Sequence, residues 1–236
     1  MTGSLAAPTP DAVPRPDATP SSDTAPTLDA VPAPPSSAPA AVAVGALFGL
    51  AWAAGLRGYM VALAGQDSTF GWAGTFAALL LPGAVTGALL GWAEHLRRTG
   101  GRRHWRWLAL APLVLAVAPL AVLPGAVVAL LTQGLGGGAV AFALTGMAGG
   151  FALSRGGSRW ARLACGLFVL LIVAGVVLST SGVGGDDLAL TTPRGAWAGL
   201  LGGVSVLTLA VGSSIPHRPV VGPSPQRAEI WARAEI

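Results

Sequence analysis

The chain has 236 residues, of which 53% are hydrophobic and 10% charged, with a mean hydropathy of +0.65. That is too little polar surface to coat a water-soluble globule of this length, so the lipid bilayer is expected as its solvent. The net charge of +4 does not mark a nucleic-acid binder, because the cations are clustered between apolar stretches and not spread over a domain; no nucleic-acid partner is expected.

Residues 1–39 carry ten prolines, four aspartates and one arginine, with no apolar periodicity. Such a segment buries too little surface to offset its ordering entropy, and it is predicted to be a disordered, Pro/Ala-rich cytosolic tail. It lacks the basic start and immediate apolar core of a cleaved signal peptide, so the first apolar run is expected to remain in the mature protein. The stretch VPAPPSSAP at 31–39 suits either a spacer or a proline-recognition partner.

From residue 40 to 215 the fold class expected is all-α, a polytopic integral membrane bundle. Six runs approach the twenty residues needed to cross the hydrocarbon core, at about 41–64, 72–92, 107–129, 134–153, 160–179 and 195–214. The weakest boundary is Thr132 to Gly138, where glycines supply a turn between the third and fourth runs. Residues 216–236 form a short C-terminal tail, predicted cytosolic.

Orientation follows from the arginines, which account for all fourteen basic residues. Arg97, Arg98, Arg102, Arg103 and Arg106 form a basic patch after the second run. Arg155, Arg159 and Arg162 follow the fourth run, and Arg218, Arg227 and Arg233 follow the sixth. With six alternating crossings these all fall on one side, and the opposite connections hold Asp67, Asp186 and Asp187 against Arg194. Cytosolic loops are enriched in arginine, so both termini are predicted cytoplasmic in a multi-pass protein of the cell membrane. Trp72, Trp105, Trp107, Trp160 and Trp197 lie near predicted helix ends, where indoles anchor at the interface.

Within the first run the sequence AAGLRGYM places Arg57 about 24 Å along a helix from Ala41, in the outer third of a hydrocarbon core about 30 Å thick. Two readings follow. In one, the guanidinium snorkels to the outer interface and Tyr59 sits in the headgroup belt. In the other, Arg57 faces the bundle and meets an anionic ligand or Asp67, with Gly55 and Gly58 allowing close approach. Arg57, Tyr59 and Asp67 are therefore the candidates for a ligand site or outer-interface anchor.

Glycines at four-residue spacing expose backbone on one helical face, where another helix can pack closely. Gly83, Gly87 and Gly91 form one such row and Gly195, Gly199 and Gly203 another, with shorter pairs at Gly45 and Gly49 and at Gly146 and Gly150. They join helices of one chain or of two, so a homo-oligomer or a membrane-protein partner are both open. The echo Leu81-Pro-Gly-Ala-Val85 and Leu123-Pro-Gly-Ala-Val127 predicts two proline kinks.

Catalytic signals are sparse. His95, His104 and His217 fall at predicted cytosolic edges, and the HExxH, CxxC, P-loop and GxSxG patterns do not occur. No catalytic set, cofactor or metal ligand set is expected, and Cys165 reads as a small apolar residue. Glu94, His95 and Arg97 suit either topogenesis or the recognition of lipid headgroups, phosphate or a partner. The functional expectation is a membrane scaffold or accessory protein; the alternative is a small permease with Arg57 near its outer mouth.

Overall fold

The computed structural model describes residues 37–101, 104–133 and 137–220. The predicted tail before residue 37, Arg102, Arg103, and the C-terminal segment with Arg227 and Arg233 lie outside the described residues. All regular structure among those described is helical. Four helical stretches are long and apolar enough to cross a membrane, at Ala38–Asp67, Trp72–Arg98, Arg159–Leu188 and Pro193–His217.

The first helix, α1 (Ala38–Ala64), is stopped by Gly65, whose φ of 57° needs a residue without Cβ and whose N–H bonds the Val61 carbonyl. A short 3-10 turn and an extended stretch then lead into a π-helical segment, Trp72–Leu80, continuous with α2 (Leu81–Arg98). The π register explains how Pro82 is accommodated. Proline offers no N–H to the residue four back, and Leu81 N–H reaches Phe76 O, five back, just before it. At the far end Gly101 N–H bonds Leu96 O at 2.7 Å, while Gly100 and Gly101 take φ of 98° and 76°, a Schellman stop.

The third predicted run is not one helix. It is divided into a 3-10 segment Trp105–Leu110, α3 (Leu113–Val122) and α4 (Ala126–Gln133). Pro124 does more than kink it: Leu123 before the proline is extended at ψ 116°, and Gly125 turns the chain at φ 76°. The fourth run is α5 (Gly137–Ala152), whose 16 residues span only about 24 Å. The long helices α6 (Arg159–Gly184) and α7 (Pro193–Ser213) close the bundle. Thr192 caps α7, its hydroxyl accepting from Gly195 N–H at 3.1 Å, with Pro193 in the first turn where no N–H is missed.

Long helices that follow one another in the chain, α1 with α2 and α6 with α7, run antiparallel, whereas α5 and α7 run parallel. Gly45 of α1 lies against Gly91 of α2, and Gly49 against Gly83 and Gly87. Along α7, Gly199 and Gly203 meet Val177 and Val173 of α6 in reverse order, and Gly146 and Gly150 of α5 meet Leu209 and Ser213 of α7. One end of the bundle therefore gathers the C-terminal ends of α2, α5 and α7 with the N-terminal end of α6, and with them Arg97, Arg98, Arg155, Arg159, Arg162 and Arg218. Asp67, Asp186 and Asp187 lie at the other end.

Candidate functional site

The two glycine rows do different work. An ideal Cβ on Gly49 would lie 2.9 Å from Gly87 Cα, and one on Gly45 would lie 2.9 Å from Gly91 Cα. Real side chains are not found so close to backbone, so α1 and α2 are in backbone contact along Gly45, Gly49, Gly83, Gly87 and Gly91. On α7 the row is looser. Gly199 and Gly203 face the side chains of Val177 at 3.2 and 3.3 Å, whereas Gly195 serves the turn beside Leu188 and Ala189. Gly195 is tight only against the backbone carbonyls of that preceding turn, and the tight position of α7 against another helix is Gly202, off the row, where a Cβ would lie 2.6 Å from a Val176 methyl and 2.8 Å from the Tyr59 ring.

Arg57 is half-buried at the end of α1 that carries the aspartates. Its Nη2 donates to the Thr69 carbonyl, and its Cζ sits 4.5 Å from the centre of the Phe70 ring. Both partners belong to the extended stretch between the 3-10 turn and the π segment, so the arginine ties α1 to that connection. Asp67 is exposed, and it is not paired with Arg57. Gly55 and Gly58 have open space about them, and among the described residues no backbone approaches either as the close-approach reading expects.

Tyr59 departs from its expected place in the headgroup belt. It is 7% exposed, with its ring against Gly202 of α7 and its hydroxyl partnered by Ser179 of α6. Residues two apart on a helix are about 200° apart around it, so an Arg57 that faces the loop sends Tyr59 into the bundle. The tryptophans divide similarly. Trp72, Trp107, Trp160 and Trp197 are exposed, but Trp105 is buried against Ala93 and Leu96, because the 3-10 segment folds back over the end of α2.

At the arginine-rich end Glu94 is the hub. Arg97 donates to it through Nε and Nη2, both at 2.7 Å, and Arg98 through Nε at 2.6 Å. Arg97 also reaches the Pro219 carbonyl at 3.3 Å, which ties α2 to the segment after α7. Arg106 lies beside His217, itself edge-on to Phe151. With Glu94 shared between two arginines, the local charge is positive.

From Glu94 and Arg98 a cleft of about 510 Å³ runs between α1, α2 and α7. Its floor is the glycine ridge of α1 and α2, and its sides include Val44, Phe48, Leu90, Leu209, Val211 and Ile215. At its inner end the Trp52 indole N–H donates to the Ser205 carbonyl at 2.7 Å. The cleft exists because rows of glycine draw two helices together and supply no side chains to fill the space beside them. Sequence reasoning found the glycine rows but not this cleft. Arg57 does not line it.

Two buried hydroxyls within the helices, Thr145 of α5 and Ser213 of α7, have no hydrogen-bond partner, as is also true of Ser68 in the connection before the π segment, and Ser213 Oγ would lie 3.3 Å from a Cβ on Gly146. Neither drew attention in the sequence, where isolated Ser and Thr in apolar helices are ordinary. Among the described residues no group of His, Cys, Asp or Glu is placed to hold a metal ion. Comparison with protein-family models, with curated proteins and with solved structures returns no match.

Proposed function

We propose that this is a multi-pass protein of the cell membrane that acts as a scaffold or accessory subunit, with its arginine-rich end and both termini in the cytoplasm. The observation that carries the reading is the engagement of Arg57. A selector in a permease needs its guanidinium turned toward a water-filled path, but here it is held by the Thr69 carbonyl and the Phe70 ring. The cleft that does enter the bundle is apolar, and close α1–α2 packing is what a rigid framework requires. Six crossings remain the proposed topology, with 105–133 forming a broken third crossing and α5 a short fourth; the arginine distribution supports cytoplasmic termini.

A small permease is the second reading, favoured by the unpartnered hydroxyls of Thr145 on α5 and Ser213 on α7. Single cysteines at 145 and 213, in a Cys165→Ala background, separate the two. The scaffold reading expects both to resist a water-soluble thiol reagent in folded protein, while a hydrated path makes them react. Labelling of either at the rate of an exposed loop cysteine would sink the scaffold proposal.

A further inference from the structure

We propose that the cleft between α1, α2 and α7 is a binding site for one anionic glycerophospholipid, with an acyl chain along the glycine ridge and the phosphate at Arg98. The inference goes beyond the scaffold reading and stands whichever way labelling at 145 and 213 turns out.

Length is the first reason. The lining runs along α1 from Ala40 to Trp52, which is about 18 Å of helix, close to half of a hydrocarbon core about 30 Å thick. The cleft thus has the depth of one leaflet. Its charged residues, Glu94 and Arg98, lie at the end where the helices finish, at headgroup level. The Trp52–Ser205 hydrogen bond marks the other end, near the middle of the bilayer.

Access is the second. Phe48, Val44 and Val211 line the cleft and are all exposed, Phe48 to 72%, so it opens sideways toward lipid. A chain entering from the bilayer exchanges one apolar surrounding for another, so the hydrophobic effect contributes little. What holds it is close packing on a ridge that lipid outside cannot match.

Charge is the third, and it selects the headgroup. Glu94 accepts from both Arg97 and Arg98, leaving one positive charge over. Arg97 is committed on both flanks, to Glu94 and to Pro219, whereas Arg98 gives Glu94 only its Nε–H and has a side chain 54% exposed. Its guanidinium therefore presents further donors suited to a phosphate oxygen. A zwitterionic headgroup places its own cation beside the same arginine. An anionic one does not.

The test uses the full-length protein in mild detergent, with phosphatidylglycerol, phosphatidylcholine and inorganic phosphate added separately, read by thermal midpoint and native mass spectrometry. Phosphatidylglycerol should raise the midpoint and remain bound at one per chain, with phosphatidylcholine weaker and phosphate without effect. Arg98→Gln should reduce the preference for phosphatidylglycerol over phosphatidylcholine by about fivefold. Val44→Trp and, independently, Thr208→Phe fill the cleft from exposed positions and should abolish the bound lipid while the protein still folds. A photoreactive phenylalanine analogue at Phe48 should capture lipid. Equal effects of the two lipids, a shift reproduced by phosphate, retention of lipid in a cleft-filled variant that folds, or capture at position 48 of a second chain or of residues 1–36 would each overturn the proposal.

Discussion

Gly49 of α1 and Gly87 of α2 face each other so closely that an ideal Cβ built on either would lie within 3 Å of the other's Cα. The contact separates two opposing effects of a Gly→Ala change. In a helix interior alanine is favoured over glycine by about 1 kcal/mol, while overpacking a tight contact costs about 1–3 kcal/mol. At Gly49 and Gly87 the second should win, because the obstacle is backbone, which cannot rotate aside.

The expected outcome is a graded series. Gly87→Ala and Gly49→Ala should lower the thermal midpoint in detergent, and Gly87→Leu should lose most folded yield. Gly199→Ala should be near neutral, since it meets the side chains of Val177 and Leu190. Gly175→Ala, in open space, should stabilise. A flat series across these positions would remove the backbone-contact account of α1 and α2.

Arg57→Ala should destabilise the connection 65–71 by about 1–2 kcal/mol, from the lost hydrogen bond and the lost stacking on Phe70. Arg57→Lys should recover part of this, since an ammonium also sits over a ring but lacks the planar fork. A double-mutant cycle of Arg57→Lys with Phe70→Leu should give a coupling of about 0.5–1 kcal/mol. Additive effects would mean the ring and the cation do not interact in solution.

The two arginines on Glu94 should not be equivalent. Arg97 makes a two-point contact with a side chain only 15% exposed, so Arg97→Gln is expected to cost about 1–3 kcal/mol. Arg98 is a more exposed single contact, and Arg98→Gln should cost less than about 1 kcal/mol, shrinking further with salt. Chemical denaturation at low and high ionic strength measures both, and equal losses would refute the assignment of Arg97 as the structural partner.

Orientation is open to labelling in intact cells. Cysteines replacing Asp67 and Asp187 in a Cys165→Ala background should react with an impermeant reagent, and one replacing Arg155 should react only after permeabilisation. The reverse pattern would invert the proposed topology without touching the fold, because the sorting of charges to the two ends is the same in either orientation.

Thr145→Val and Ser213→Ala should be neutral or stabilising by about 1 kcal/mol, because each removes a buried hydroxyl that has no partner to lose. Equilibrium unfolding of each variant in mild detergent checks it, and a clear destabilisation would point to a partner, such as bound water, that holds these groups.

The helical class, the presence of helices long and apolar enough to cross a membrane, and the gathering of most arginines away from the aspartates were legible in the sequence, because hydropathy and charge act residue by residue and a helix satisfies its own backbone whatever lies beside it. The glycine rows were legible too, but not their pairing: spacing shows which face of a helix is bare, and only the packed bundle decides that Gly83, Gly87 and Gly91 meet Gly45 and Gly49 while Gly199 and Gly203 meet valines. Hydropathy also could not divide 107–129, since one Pro-Gly step barely lowers the average over so long an apolar run, and the break lies in the backbone torsions of Leu123 and Gly125. For Arg57 and Tyr59, helix geometry alone dictates that they point apart. Which of them faced inward was decided by tertiary contacts with residues far along the chain, Gly202 and Ser179 for Tyr59, and by a loop whose path past Arg57 no periodicity records.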